Sequence, residues 1–197
     1  MIIHINGWPG VGKKTVAQLV SHQLAARFIH NHLIHDVAIA CVGFQNPLRW
    51  QLYEKVRAAA YEALAALPQT EIFVMTNALC VDSERERFAW EKVVELAMLR
   101  GVPLVPVVLE TTLEENIRRL TDAKRDEGKL KNEALLSEYR RSDKIQMPDV
   151  DELLVIDATS LEAVGAAEII CDHITKLAPQ LKAADARHKI LKPQQLR

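Results

Sequence analysis

Residues 1–15 read MIIHINGWPGVGKKT, and the order of parts in this stretch decides the fold. Ile2, Ile3 and Ile5 form an apolar run that ends at Asn6; Gly7, Gly10 and Gly12 follow, then Lys13, with a helical pattern opening directly behind it. A strand, a glycine-rich turn and a helix start, in that order, build an anion cradle. Glycines let the turn curl so that backbone N–H groups converge, the helix N-terminus adds partial positive charge, and Lys13 supplies a full one. Gly7, Gly12 and Lys13 complete a G-x-x-x-x-G-K pattern, in which the lysine reaches the β- and γ-phosphates of a nucleotide. The next position, where the pattern asks for a hydroxyl to hold magnesium, is Lys14; Thr15 comes one place later.

The rest of the chain bounds what this cradle can belong to. With 197 residues and 49% hydrophobic content there is enough chain for one well-buried domain. Twenty-five basic side chains against twenty-six acidic ones give a net charge of −1, so nothing global favours nucleic acid or an anionic membrane, and any phosphate-binding surface must be local. Cys41, Cys80 and Cys171 are widely spaced and form no C-x-x-C pair, which suggests neither a disulfide framework nor a zinc site and fits a reduced cytoplasm. The sequence opens directly on a strand without a charged leader, and no apolar run approaches the roughly 20 residues of a membrane span. A soluble cytoplasmic protein, monomeric or homodimeric, is expected.

Along the chain, Val16, Leu19, Val20 and Leu24 share one helical face that runs out near Arg27. Phe28 and Ile29 make a second strand, followed by the cluster His30, Asn31, His32, His35 and Asp36, and a buried helix is expected over Val37 to Phe44. Trp50, Tyr53, Val56, Ala60, Leu64 and Leu67 trace a long amphipathic helix stopped by Pro68. Ile72 to Met75 read as a third strand. Asp82 or Ser83 caps the next helix, which Gly101 ends, and Val102 to Leu109 form a fourth strand with Pro106 expected near its start. Thr111 or Thr112 caps a helix with Glu114 and Glu115 in its first turn. Asp122 to Glu138 is highly charged and offers few core residues, so it reads as a mobile excursion. Leu153 to Ile156 give a fifth strand, and Leu161 to Leu177 a closing helix. The domain is placed at 1–178, with 179–197 a polar, peripheral tail.

Short apolar strands alternating with longer helices argue for a five-stranded parallel sheet covered on both faces, a three-layer α/β/α arrangement. In such sheets ligands gather at the C-terminal strand ends, which puts Asn6, His30 to His32, Thr76 to Asn77, Glu110 and Asp157 along one rim.

The run G-x-P-G-x-G-K-x-T over Gly7 to Thr15 resembles the loop of adenylate kinase and related small-molecule kinases, which also carry a non-hydroxyl residue after the lysine. Beyond the loop, the element order and charged excursion resemble the nucleoside-monophosphate-kinase-like branch of P-loop proteins, with shikimate kinase, gluconate kinase and chloramphenicol phosphotransferase. The resemblance implies a sheet of order 2-3-1-4-5, an acceptor site made after the second strand, and an arginine-bearing lid at about residues 121–138. It implies ATP with Mg²⁺ on Gly7, Gly10, Val11, Gly12, Lys13, Lys14 and Thr15, the Thr15 hydroxyl taking the metal-side contact, and a small-molecule acceptor.

Phosphoryl transfer is catalysed chiefly by positioning and charge compensation. Arg119 and Arg125 look like the family's pre-lid arginines, and Arg140 or Arg141 like the post-lid one; as decoration, Arg119 pairs with Glu115 at i, i+4. Many of these kinases carry an aspartate at the end of the second strand, where this chain has Asn31. An amide is no base, so that role passes to His32, His35 or Asp36, or is unnecessary in a loose transition state. Zinc on His30, His32 and His35 is disfavoured by their spacing. No Walker B acid follows the third strand, which ends in Thr76 and Asn77, with Asp82 a substitute or a cap. Two readings follow: an ATP-dependent kinase for a small hydroxyl or phosphate acceptor, or a nucleotide-binding regulatory protein without transfer, suggested by Lys14, Asn31 and the missing acid. A nucleotide-sugar kinase of the zeta-toxin type is a third.

Overall fold

The computed structural model describes residues 1–122 and 130–185. Its centre is a five-stranded sheet in the order β2-β3-β1-β4-β5, every pair parallel, built from β1 (Ile2–Gly7), β2 (Arg27–His30), β3 (Phe73–Thr76), β4 (Leu104–Glu110) and β5 (Leu154–Asp157). The expected fold class and strand order are both present. Side chains alternate across β1. Ile3 and Ile5 pack on α1 (Lys13–Gln23) and α7 (Ala163–Asp185) through Val16, Val20, Ile170 and Ile174. On the other face, Ile2 joins Phe73 and Met75 against Trp90, Val93 and Val94 of α4 (Glu84–Arg100). Both faces of β1 being closed is what an unbroken apolar strand requires.

Helix boundaries follow local chemistry. The Ser83 hydroxyl accepts from the Glu86 amide to start α4, and Gly101, at φ 60°, ends it in the left-handed region. Thr112 caps α5 (Leu113–Leu120) by accepting from Glu115 N. Pro106 lies in register with His4 on β1, but the ladder with β5 begins only at Val107, so the missing N–H falls where β4 has one neighbour.

Two expectations need correction. The helix expected over Val37 to Phe44 is α2 (His32–Val42), because the Asn31 carbonyl accepts from both Ile34 N and His35 N and starts the helix at the histidines. The charged excursion contains a regular helix, α6 (Glu133–Ser142), capped by the Asn132 carboxamide and anchored by the fully buried Leu136. The lid expected at 121–138 overlaps 123–129, which with Arg125 lie outside the described residues. α3 (Leu48–Ala65) is the long amphipathic helix, and α7 continues past Pro179 to Asp185.

Candidate active site at the glycine loop

Gly7, Gly10 and Gly12 hold φ of 146°, 93° and 102°, values that side-chain-bearing residues rarely adopt. Space adds a second constraint at two of them: a Cβ on Gly7 would meet the Leu109 carbonyl oxygen at 2.4 Å, and one on Gly10 the Asn116 Nδ2 at 2.9 Å. Gly12 is the N-cap of α1, and a Cβ there would face only Arg119 Nη1 at 3.9 Å. Lys13 opens α1 and returns over the loop, its Nζ donating to the carbonyls of Gly7 at 2.6 Å and Trp8 at 2.8 Å. The loop is pinned at both flanks, Val11 in the α1/α7 core and Trp8 in a cluster with Val108, Leu120, Leu136 and Ile145. Lys14 and the exposed Thr15 follow in the first turn of α1.

Two of the arginines named from sequence stand beside this loop. Arg119 donates to Val11 O at 3.1 Å and Ala158 O at 2.6 Å, while its Nε meets Glu115 Oε1 at 2.6 Å, so one guanidinium ties the loop to the turn after β5. Bonds from Arg118 and Arg119 hold the Glu115 carboxyl well below its ordinary range, at about 2. Arg140 donates to Asn116 Oδ1 at 3.0 Å and Thr111 O at 2.8 Å and lies 5.7 Å from the centre of the Trp8 ring; burial lowers its pKa. Asn116 in turn donates to Pro9 O at 2.9 Å, which links α6 to the loop through two side chains. Arg118 and Arg141 are exposed and pair with Glu115 and Glu138 on their own helices.

The polar residues at the end of β3, Thr76 and Asn77, are buried. Asn77 Oδ1 lies 3.0 Å from His4 Nε2, and Asn6, expected on the open rim, is buried: its carboxamide bonds both backbone groups of Leu79 and the carbonyl of Gln146. Among the described residues no group of three or more His, Cys, Asp and Glu side chains is placed to hold a metal, which removes the histidine zinc site. A magnesium ion of the kind that keeps its waters and leans on phosphate oxygens needs only one or two protein oxygens, and the Thr15 hydroxyl fits that donor set. The Cys80 thiol is pushed up by burial and by the carboxylates of Glu86 and Asp143, and Glu86 also accepts from the Cys80 amide at 2.5 Å.

At the end of β2, Asn31 accepts from the Tyr53 hydroxyl at 2.7 Å, which commits its side chain to structure. His35 stacks on Tyr53 at 4.2 Å between ring centres; burial above all, helped by the nearby cations, takes its pKa to about 4 and leaves it neutral. His32 and Asp36 share the exposed face of α2, with His32 Nδ1 3.7 Å from Asp36 Oδ1. Trp8 and Asn116, which hold the loop, were not read from the sequence as site residues. Asn116 carried a faint signal, a polar residue on the apolar side of a short helix.

No family model and no curated protein matches the sequence. Solved structures do match. A gluconokinase from Sinorhizobium meliloti 1021 aligns at TM-score 0.62 and 17% identity over 94% of this chain and 97% of its own. A shikimate kinase from Acinetobacter baumannii in complex with shikimate aligns at 0.53 and 16%, over 91% and 94%. Kti12 from Chaetomium thermophilum in complex with ADP-AlF3 aligns at 0.56 and 17%, over 88% and 99%. The chain has the P-loop α/β/α fold of the nucleoside-monophosphate-kinase-like proteins. At these identities the likeness speaks for the fold.

Proposed function

We propose that the protein is an ATP-dependent small-molecule kinase, transferring the γ-phosphoryl group to a hydroxyl or phosphate acceptor. The observation that carries this reading is the convergence of Lys13 and Arg119 on one glycine loop at the C-terminal end of β1. Lys13 exchanges its two loop carbonyls for the β- and γ-phosphate oxygens. Arg119, and Arg140 through the Asn116 bridge, compensate the charge that develops on the transferred group. Thr15 supplies the one protein hydroxyl for Mg²⁺, which when bound neutralises the phosphates. His32 is the proton acceptor for an acceptor hydroxyl, oriented by Asp36; half-buried His35, whose lowered pKa makes it a weak base, and the committed Asn31 are poor alternatives.

A second reading, a nucleotide-binding protein without transfer, is favoured by β3 running out into Thr76 and Asn77 where an acid would be expected. Lys13→Ala lowers ATP affinity under both, by roughly 10- to 100-fold for the loss of a charged hydrogen-bonding partner. ADP release with MgATP across sugars, sugar acids, nucleosides and amino-alcohols separates them. Acceptor-stimulated turnover abolished by Lys13→Ala supports the kinase; tight ATP binding with no stimulated turnover supports the other.

A further inference from the structure

Lys14 stands where the loop pattern has a hydroxyl. In G-x-x-x-x-G-K-S/T the residue after the lysine meets magnesium through its side-chain oxygen; here a second lysine takes that place. Lys13 and Lys14 are the first two residues of α1, their Cα atoms about 3.8 Å apart across one peptide. Gly12 before them is the N-cap, so both ammonium groups belong to a helix end that already favours anions. Thr15, the hydroxyl nearest in sequence, lies about 100° further round the helix and is exposed.

The carboxylates at the neighbouring strand and helix ends are turned to donors of the protein. Glu115 accepts from Arg118 and Arg119, Glu86 from the Cys80 amide, Asp143 from the Asp82 and Lys144 amides, and Asp157 from Thr159. Asn77, past the end of β3, is buried and engaged with His4. Cations, by contrast, gather at the loop: Lys13 and Lys14 within it and Arg119 against the Val11 carbonyl.

A divalent ion does two things for a bound triphosphate, neutralising its charge and bridging its oxygens. An ammonium does the first through charge-assisted hydrogen bonds, and repels the ion that does both. Resting on the reading of the loop as a nucleotide site, we propose that Lys14 takes over the neutralising part, so that the protein binds the metal-free nucleoside triphosphate about as tightly as its magnesium complex. Lys14 is thus a phosphate-binding residue that sets which form of the nucleotide the loop accepts.

The test is calorimetry on the full chain, with ATP in EDTA and ATP in excess magnesium at one ionic strength. Two variants are compared with the parent: Lys14→Thr, which restores the hydroxyl of the pattern, and Lys14→Gln, which removes the charge without adding one. Thermal melts show that each is folded. The parent is expected to bind the two forms within about threefold of each other, and both variants to lose about tenfold for free ATP while changing less for the magnesium complex. A parent preference for the magnesium complex beyond about threefold, or either folded variant keeping the parent's ratio, overturns the proposal. ADP release with acceptors in MgATP keeps this apart from the kinase reading. Lys14-dependent binding of free ATP without acceptor-stimulated turnover upholds the proposal and sinks the kinase, whereas stimulated turnover in a protein that binds only the magnesium complex does the reverse. No ATP binding in either buffer overturns both.

Discussion

At His4 the imidazole sits on the inner face of β1, under the Trp90 ring at 5.2 Å, with Asn77 as its hydrogen-bond partner; burial, the largest cause, takes its pKa to about 4. His35 reaches about the same value under Tyr53. Both are neutral in the fold, while in the unfolded chain both titrate near 6.5. Between pH 6.5 and 4 the unfolded state therefore binds more protons than the native one, and stability falls as pH falls. Each histidine contributes on the order of 3 kcal/mol to that loss. Unfolding free energies from urea titrations should rise from pH 4 to 6.5 with a slope approaching two protons. His35→Phe, which keeps a ring against Tyr53, should remove about one of them; a profile flat across this window, or unchanged in the variant, contradicts the assignment.

Among the helices, apolar packing of α3 on α4 is braced by one buried arginine. Arg100, the last residue of α4, is buried and donates to the carbonyls of Leu64, Leu67, Pro68 and Glu71 while lying over the Phe73 ring at 4.1 Å. It adds donors to carbonyls at and just beyond the end of α3, with a cation where the helix dipole favours one. Arg100→Ala should cost about 3 kcal/mol and lower the melting temperature by about 6–12 °C. Arg100→Lys should recover little of it, since one ammonium cannot reproduce the planar fork; a lysine variant melting with the parent would show that charge alone suffices there. Arg100 also marks what a sequence can reveal. The span of α4 was legible because Ser83 and Gly101 act within a turn of themselves, and the glycine loop for the same reason. The start of α2 was not, because polar histidines hid the first turn of an apolar helix, nor was α6, which spends charged residues around one buried leucine. The stacking of Arg85 of α4 on Trp50 of α3 stayed hidden because it forms only when the two helices pack.

Over the whole molecule the sheet joins strands distant in sequence, and one amide beside the site spans more of the chain than any strand pair. Asn6 bonds residues 73 and 140 positions away, donating to Leu79 O and Gln146 O at 3.0 Å each and accepting from Leu79 N at 2.8 Å. Around it the segment after β3 and the segment after α6 run together, with Gln146 N on Leu79 O, Val81 N on Lys144 O and a bridge between Cys80 and Ile145. This clasp fixes the floor beside the glycine loop, one residue from Gly7. Its chemistry makes Asn6→Asp and Asn6→Ala separable. Alanine removes three hydrogen bonds and should cost about 2–4 kcal/mol at any pH. Aspartate keeps the acceptor for Leu79 N but turns a carboxylate toward two carbonyl oxygens, so burial and repulsion raise its pKa in the fold. The native state then holds the proton more tightly than the unfolded chain, and the variant loses stability as pH rises through the raised value. Its deficit relative to the parent should be small near pH 4 and grow toward pH 7, overtaking that of Asn6→Ala, while the histidines push the parent the other way. A deficit in Asn6→Asp that stays constant across this range would mean that Asn6 does not donate to those two carbonyls and that the clasp is held by its backbone bonds alone.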